Sequence, residues 1–181
     1  MGELGLFGIP FPEQYGGSGG DTISYAIAVE EIGRACGGTG LSYAAAVSLG
    51  ASPIYYFGTE EQKKEWLVPM AKGEAFGSFG LTEPNAGSDA GGTQTRAILE
   101  GDEYVINGEK CWITNAGYAR QVIVTAVTGK DERGKILFLR SSFRRIRQGF
   151  RLIVIITRWA FVHPIRVSLF CKMYVCQKKI Y

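Results

Sequence analysis

After a lead-in rich in glycine and proline, the first regular pattern along the chain is helical. Ile23, Ala26, Ile27, Val29 and Ile32 recur at helical spacing behind Asp21 or Thr22, either of which can cap the helix, and Gly37 and Gly38 close the run. A second helix is predicted over residues 41–56, where many alanines favour close packing. Thr59 with Gln62 three residues on makes a capping-box pattern ahead of a third helix through Trp66 and Met70, which Gly73 stops. From Ala75 the period shortens. FGSFGLTE, GTQTRAILEG, EYVINGEKCWIT and RQVIVTAVT are short runs rich in Thr, Val, Ile and aromatic residues, broken by Gly, Asn and Asp, and they read as strands of an antiparallel β domain.

Composition changes this picture at one place. The 181 residues are 46% hydrophobic, enough to bury a core in one domain or two small ones. The charge is unevenly divided: residues 136–181 carry ten Lys or Arg and no Asp or Glu, a net +10, against −7 for residues 1–135. Soluble chains normally intersperse both signs, so the two parts did not arise under the same constraints and the averaged basic pI misleads. A basic nucleic-acid or membrane-binding tail is the alternative reading, but the tail has no periodic basic face or stacking pattern. RLIVIITRWAFV is too short and too interrupted by Arg to span a bilayer. Cys36, Cys111, Cys171 and Cys176 have no CxxC spacing and the single histidine is His163, which argues against a metal site. Cys36 and Cys111 are expected to be small buried hydrophobes in a reduced, cytoplasmic setting. The N-terminus lacks a basic run followed by an apolar core, so no secretory signal is expected.

The segment with the most specific chemistry is residues 80–92, GLTEPNAGSDAGG. A strand is expected to end at Thr82, and a turn set by Pro84, Asn85 and Gly87 exposes backbone N–H groups beside the hydroxyls of Thr82 and Ser88, with Asp89 organising the turn. Small residues let a phosphate or a polar ring edge approach the backbone; an ordinary turn between strands looks similar. About thirty residues on, GEKCWITNAG is expected to close a hairpin and carries Trp112 and Thr114 two positions apart. On a strand these share a face, so an aromatic plane and a hydroxyl could meet one flat ligand, although a lone strand tryptophan is also common in cores.

Together with PEQYGGSGGD near the N-terminus and GTEEQKKEWLVPMAKGE ahead of the strands, these segments strongly resemble the acyl-CoA dehydrogenase flavoproteins over residues 1–135, with motif wording most like the short-chain or butyryl type. The resemblance implies an α+β multi-domain protein: part of an N-terminal α-helical domain (1–74), an incomplete antiparallel β-barrel middle domain (75–135), and no C-terminal helical bundle. It implies FAD as cofactor and acyl-CoA as substrate, with α,β-dehydrogenation in fatty-acid or branched-chain catabolism. By matched position, Phe79, Leu81, Thr82, Gly87 and Ser88 line FAD, with Ser88 also touching acyl-CoA. Trp112, Ile113 and Thr114 cover the flavin, and the Thr114 hydroxyl reaches its redox-active nitrogen. Electron-transfer flavoprotein and a homotetramer are the partners it implies; no nucleic acid or membrane is expected. In the family a carboxylate removes the α-proton, and no residue here matches it. Glu83 sits inside the flavin motif, so no catalytic residue is assigned. An acyl-CoA oxidase, a flavin monooxygenase of the same fold, or an inert remnant remain alternatives.

The resemblance stops at Lys135. With free choice among synonymous codons, new codons formed from the third base of each codon and the first two of the next turn residues 135–150 into N-I-I-S-A-F-I-V-P-T-D-T-P-G-F. Residues 155–180, which include Trp159, become Y-N-K-M-G-I-R-T-S-N-T-C-E-L-I-L-Q-N-V-R-M-P-K-E-N-I. Both strings resemble the family's continuation, and two long matches in one register are not a cheap coincidence. The expectation is that one adenine is missing from an A-rich run near codon 135, that residues 136–181 are out-of-frame translation, and that the chain as translated is truncated and inactive.

Overall fold

Asp21 ends the glycine-rich lead-in by accepting hydrogen bonds from the Ser24 N–H and hydroxyl, both at 2.7 Å, and so starts α1 (Thr22–Ala35). This computed structural model describes residues 1–100, 103–130, 136–144, 150–157 and 165–177, with side chains described over 1–98 and 105–129. Lys135, Trp159 and His163 lie outside the described residues. The apolar stripe expected on α1 divides in two. Tyr25, Ala28, Val29 and Ile32 pack against the core, whereas Ile23 and Ile27 stay 69% and 56% exposed. A core-facing helix needs only one stripe, and Ile23 and Ile27 belong to another face.

The second predicted helix is observed as α2 (Gly37–Ala44), a wider π-type stretch (Ala45–Ala51) and α3 (Ser52–Phe57). Next come α4 (Glu60–Gln62), a second π-type stretch (Lys63–Leu67) and α5 (Val68–Ala71). The capping box at α4 is complete: the Thr59 hydroxyl accepts from the Gln62 N–H at 3.3 Å and the Gln62 carbonyl oxygen accepts from the Thr59 N–H at 3.0 Å. Gly73, at φ 73°, takes the left-handed conformation that ends the helical run. The core of this layer gathers Phe7, Phe11, Tyr15, Tyr43, Val47, Ile54, Leu67 and Met70.

The sheet contains β1 (Gly77–Gly80), β2 (Arg96–Glu100), β3 (Glu103–Thr114), β4 (Gln121–Lys130), β5 (Ile136–Arg144), β6 (Phe150–Thr157) and β7 (Ile165–Gln177) in the order β1-β4-β2-β3-β7-β6, with β5 also on β4. It is a curled, incomplete barrel sheet. Pairing is antiparallel for β2–β3, β3–β7, β4–β5 and β6–β7, and parallel where β1 and the start of β2 meet β4. Three strands therefore lie in the basic tail, which is expected to be out-of-frame translation; its Ile, Val and Phe have the β propensity that strand positions favour.

The segment GEKCWITNAG does not close a hairpin, because β3 pairs with β2 and β7 and not with β4. The chain instead turns onto the helical layer. Asn115, at φ 63°, donates its side-chain amide to the Ser42 carbonyl oxygen at 2.9 Å, and the Arg120 N–H donates to the Phe76 carbonyl oxygen at 2.9 Å. Helical layer and sheet are in close contact at Gly50 and Gly77, where a Cβ on Gly50 would lie 2.7 Å from the Gly77 carbonyl atoms. Only a pair without side chains permits that approach.

Candidate active site

A cavity of about 530 Å³ opens between helical layer and sheet. Its helical wall is Leu41, Ala44, Ala45, Ser48 and Leu49; its sheet wall is Phe79, Leu81 and Thr82 on one side and Cys111, Trp112 and Thr114 on the other. The volume suits a small molecule or one part of a large cofactor, and a mainly apolar lining with few hydroxyls is typical of such sites. Part of the helical wall comes from the π-type stretch Ala45–Ala51, a feature often found at functional sites.

Cys111 and Trp112 are neighbours in sequence, yet both line the cavity. A regular strand would point them to opposite faces. Here the β3–β7 register shifts between Lys110 and Ile113, and Trp112 has φ 59°, so a bulge re-aims the chain. Trp112 remains 43% exposed. Burial pushes the Cys111 thiol above its ordinary value, with Glu109 and Glu83 adding to the effect, so it stays protonated. Cys36 is only half-buried, contrary to expectation, and hydrogen bonds with Thr39 lower its thiol. It sits at the entry to α2, beside the helix and not inside the core.

Behind the sheet wall is an ion pair that sequence reasoning missed. Glu83 and Lys110 are 4% and 2% exposed, and Lys110 Nζ lies 2.7 Å from Glu83 Oε1. The ammonium also donates to the Leu81 carbonyl oxygen at 2.8 Å and to Thr125 Oγ1 at 3.1 Å, while Glu83 accepts from the Gln94 N–H at 2.6 Å and the Thr95 N–H at 3.0 Å. Burial alone would push the Glu83 carboxyl up; the bonds from Lys110, Thr95 and Gln94 outweigh it and hold the group below the usual glutamate range. One signal was available: Lys110 shares strand parity with buried Ile106, and a cation on a buried face requires a partner.

Five of the eight predicted cofactor residues, Phe79, Leu81, Thr82, Trp112 and Thr114, line the cavity. Ile113 is buried, with its Cδ1 3.2 Å from where a Cβ on Gly80 would stand. Gly87 and Ser88 are on an exposed turn outside the cavity lining. β1 ends at Gly80, and a two-residue bridge of Glu83 with Ala86 shapes the start of that turn. The Asp89 carboxylate lies against Gly91 and Gly92, 2.8 Å from where a Cβ on Gly92 would stand. Among the described residues no His, Cys, Asp and Glu cluster could hold a metal ion, and no helix is long and apolar enough to cross a membrane.

A helical layer closing an aromatic- and hydroxyl-lined cavity on a curled sheet defines an α+β architecture with its candidate site at the layer junction. Residues 1–74 match the acyl-CoA dehydrogenase N-terminal domain and residues 78–151 the acyl-CoA dehydrogenase middle domain, and the chain belongs to the acyl-CoA dehydrogenase family. It is 83% identical over 135 residues to a probable acyl-CoA dehydrogenase of Bacillus subtilis, an alignment covering 75% of this chain and 36% of that protein. Butyryl-CoA dehydrogenase from Megasphaera elsdenii superimposes with a TM-score of 0.91 at 39% identity, over 99% of this chain and 48% of that one. An acyl-CoA dehydrogenase complexed with FAD from Bacillus anthracis does so with a TM-score of 0.88 at 36% identity, over 99% of this chain and 30% of that one. The chain spans about a third of the length of the curated relatives it matches.

Proposed function

We propose that residues 1–135 are the flavin- and substrate-facing part of an FAD-dependent acyl-CoA dehydrogenase, and that residues 136–181 are read out of frame. The observation that carries the functional reading is the convergence of Trp112, Thr114, Thr82 and Phe79 on one cavity. These residues fit the tricyclic flavin ring: two aromatic side chains offer flat apolar surface, and two hydroxyls offer hydrogen bonds to a ring edge. Bound FAD supplies the two-electron acceptor for α,β-dehydrogenation. Thr114 would donate a hydrogen bond at the ring edge where negative charge develops, and Trp112 would shield that edge from water. The apolar helical wall suits an acyl chain, and Gly87 and Ser88, on the exposed turn, suit the polar parts of FAD and the acyl-CoA.

Among the described residues no carboxylate lines the cavity, and Glu83 is committed to Lys110. Removal of an α-proton therefore needs a base that the described residues do not supply, which accords with inactivity of the chain as translated. Electron-transfer flavoprotein as acceptor, a homotetrameric assembly and a cytoplasmic setting complete the reading. The frame proposal is supported by an 83% identity that runs for 135 residues, the length of the compositionally normal part. Strand positions in the tail are compatible with it, since residues of high β propensity can occupy a sheet without having been selected for one.

The test is expression of the gene with one base restored at codon 135. The product is expected to copurify with FAD and to lose its yellow colour when butyryl-CoA is added anaerobically. A colourless product, or a flavin that acyl-CoA does not bleach, contradicts the functional reading; rapid reoxidation by oxygen would make the enzyme an oxidase.

A further inference from the structure

We infer that Lys110 and Glu83 are positioning residues that hold the two sheet walls of the cavity in register, an inference that rests on the proposed site but not on the identity of its ligand. The ammonium has three donors and all three are used, on Leu81, Glu83 and Thr125; the carboxylate in turn accepts from the N–H groups of Gln94 and Thr95. One buried pair thus ties together the loop after β1, the approach to β2, and strands β3 and β4. Its attachment points adjoin the cavity: Leu81 and Thr82 follow β1, and Cys111 and Trp112 follow Lys110 directly. The Cys111 N–H also donates to the Thr82 carbonyl oxygen at 2.8 Å, which joins the two walls where the bulge begins. A pair kept for stability alone could be replaced by uncharged residues of similar volume at little loss. A directional clamp could not, because an aliphatic side chain in place of Lys110 has no donors to fix Leu81 or Thr125.

The experiment uses the full chain without ligand, labelled with fluorotryptophan and observed by fluorine NMR. Trp112 reports on the wall, Trp66 in the helical layer serves as the internal reference, and Trp→Phe variants assign the resonances. In the Glu83→Gln/Lys110→Met double variant, which leaves no unpaired buried charge, the Trp112 resonance is expected to move beyond its own linewidth while Trp66 stays in place. Thr125→Val keeps both charges and removes one acceptor, and it should move Trp112 in the same direction by less. If the double variant does not fold, Thr125→Val alone decides. An unmoved Trp112 resonance in a folded variant overturns the inference. Because no flavin is present, that result leaves the proposed function standing, and failure of the flavin reading leaves this test intact.

Discussion

Replacing Gly50 with alanine tests how helical layer and sheet are joined. The added Cβ would lie 2.7 Å from the Gly77 carbonyl carbon and oxygen and 2.9 Å from its Cα, where ordinary contact begins at 3.4 Å. Backbone stands on both sides, so no flexible side chain can give way; the layers must part by roughly 0.7 Å, with an overpacking cost of about 1–3 kcal/mol. Alanine also gains up to about 1 kcal/mol over glycine inside a helix, which partly hides that cost. Gly33→Ala in α1 isolates the helical gain, since a Cβ there meets nothing within 4 Å. Urea unfolding of both variants, followed by circular dichroism, should place Gly50→Ala below Gly33→Ala by about 1–3 kcal/mol. Ser48, Leu49 and Phe79 flank the junction and line the cavity, so the same change should loosen the site. Equal stability of the two variants would refute the argument that bare backbone contact sets the spacing of the layers.

Three further expectations concern the site and its supports. The Glu83 carboxyl is held below its ordinary range, so its stabilising effect is present above that range and lost as the pH falls through the depressed value of the folded state. The stability gap between the native chain and Glu83→Gln should therefore narrow below pH about 4, and a gap that stays constant in unfolding titrations down to pH about 3 contradicts the assignment. Asn115 has a positive φ and a side-chain bond to Ser42, so Asn115→Val should lower stability more than Asn115→Gly, which loses the bond but suits the backbone; thermal unfolding gives the order. In the frame-restored enzyme, Thr114→Val should slow flavin bleaching by acyl-CoA roughly ten- to over hundredfold, the equivalent of a charge-linked hydrogen bond of about 1.5–3 kcal/mol. Stopped-flow measurement showing an unchanged rate with weaker substrate binding would assign Thr114 to ground-state positioning instead.

Local signals were the most legible in the sequence. Asp21 and the Thr59–Gln62 box mark helix starts because the bonds they make lie within three residues. The strands of residues 75–130 were legible as segments, but their neighbours were not: the expected β3–β4 hairpin fails because Asn115 and Arg120 bond to Ser42 and Phe76, contacts that no local pattern encodes. At the site, strand parity put Trp112 and Thr114 on one face, and both line the cavity, but it missed Cys111, which only the bulge brings to the same cavity. Ser48 and the helical wall were hidden for a different reason, since small and apolar helix residues look the same whether they face a core or a cavity. Glu83 and Lys110, 27 residues apart, were visible individually but not as a pair.

The nucleotide sequence around codon 135 tests the central claim most directly. If residues 136–181 are an out-of-frame reading of an acyl-CoA dehydrogenase gene, an A-rich run will be found there, and one added base will open a frame reading N-I-I-S-A-F-I-V-P-T-D-T-P-G-F, then K-M-G-I-R-T-S-N-T, and onward without an early stop. Codons whose shifted reading lacks those strings or meets stops would show that the basic tail is the gene's own.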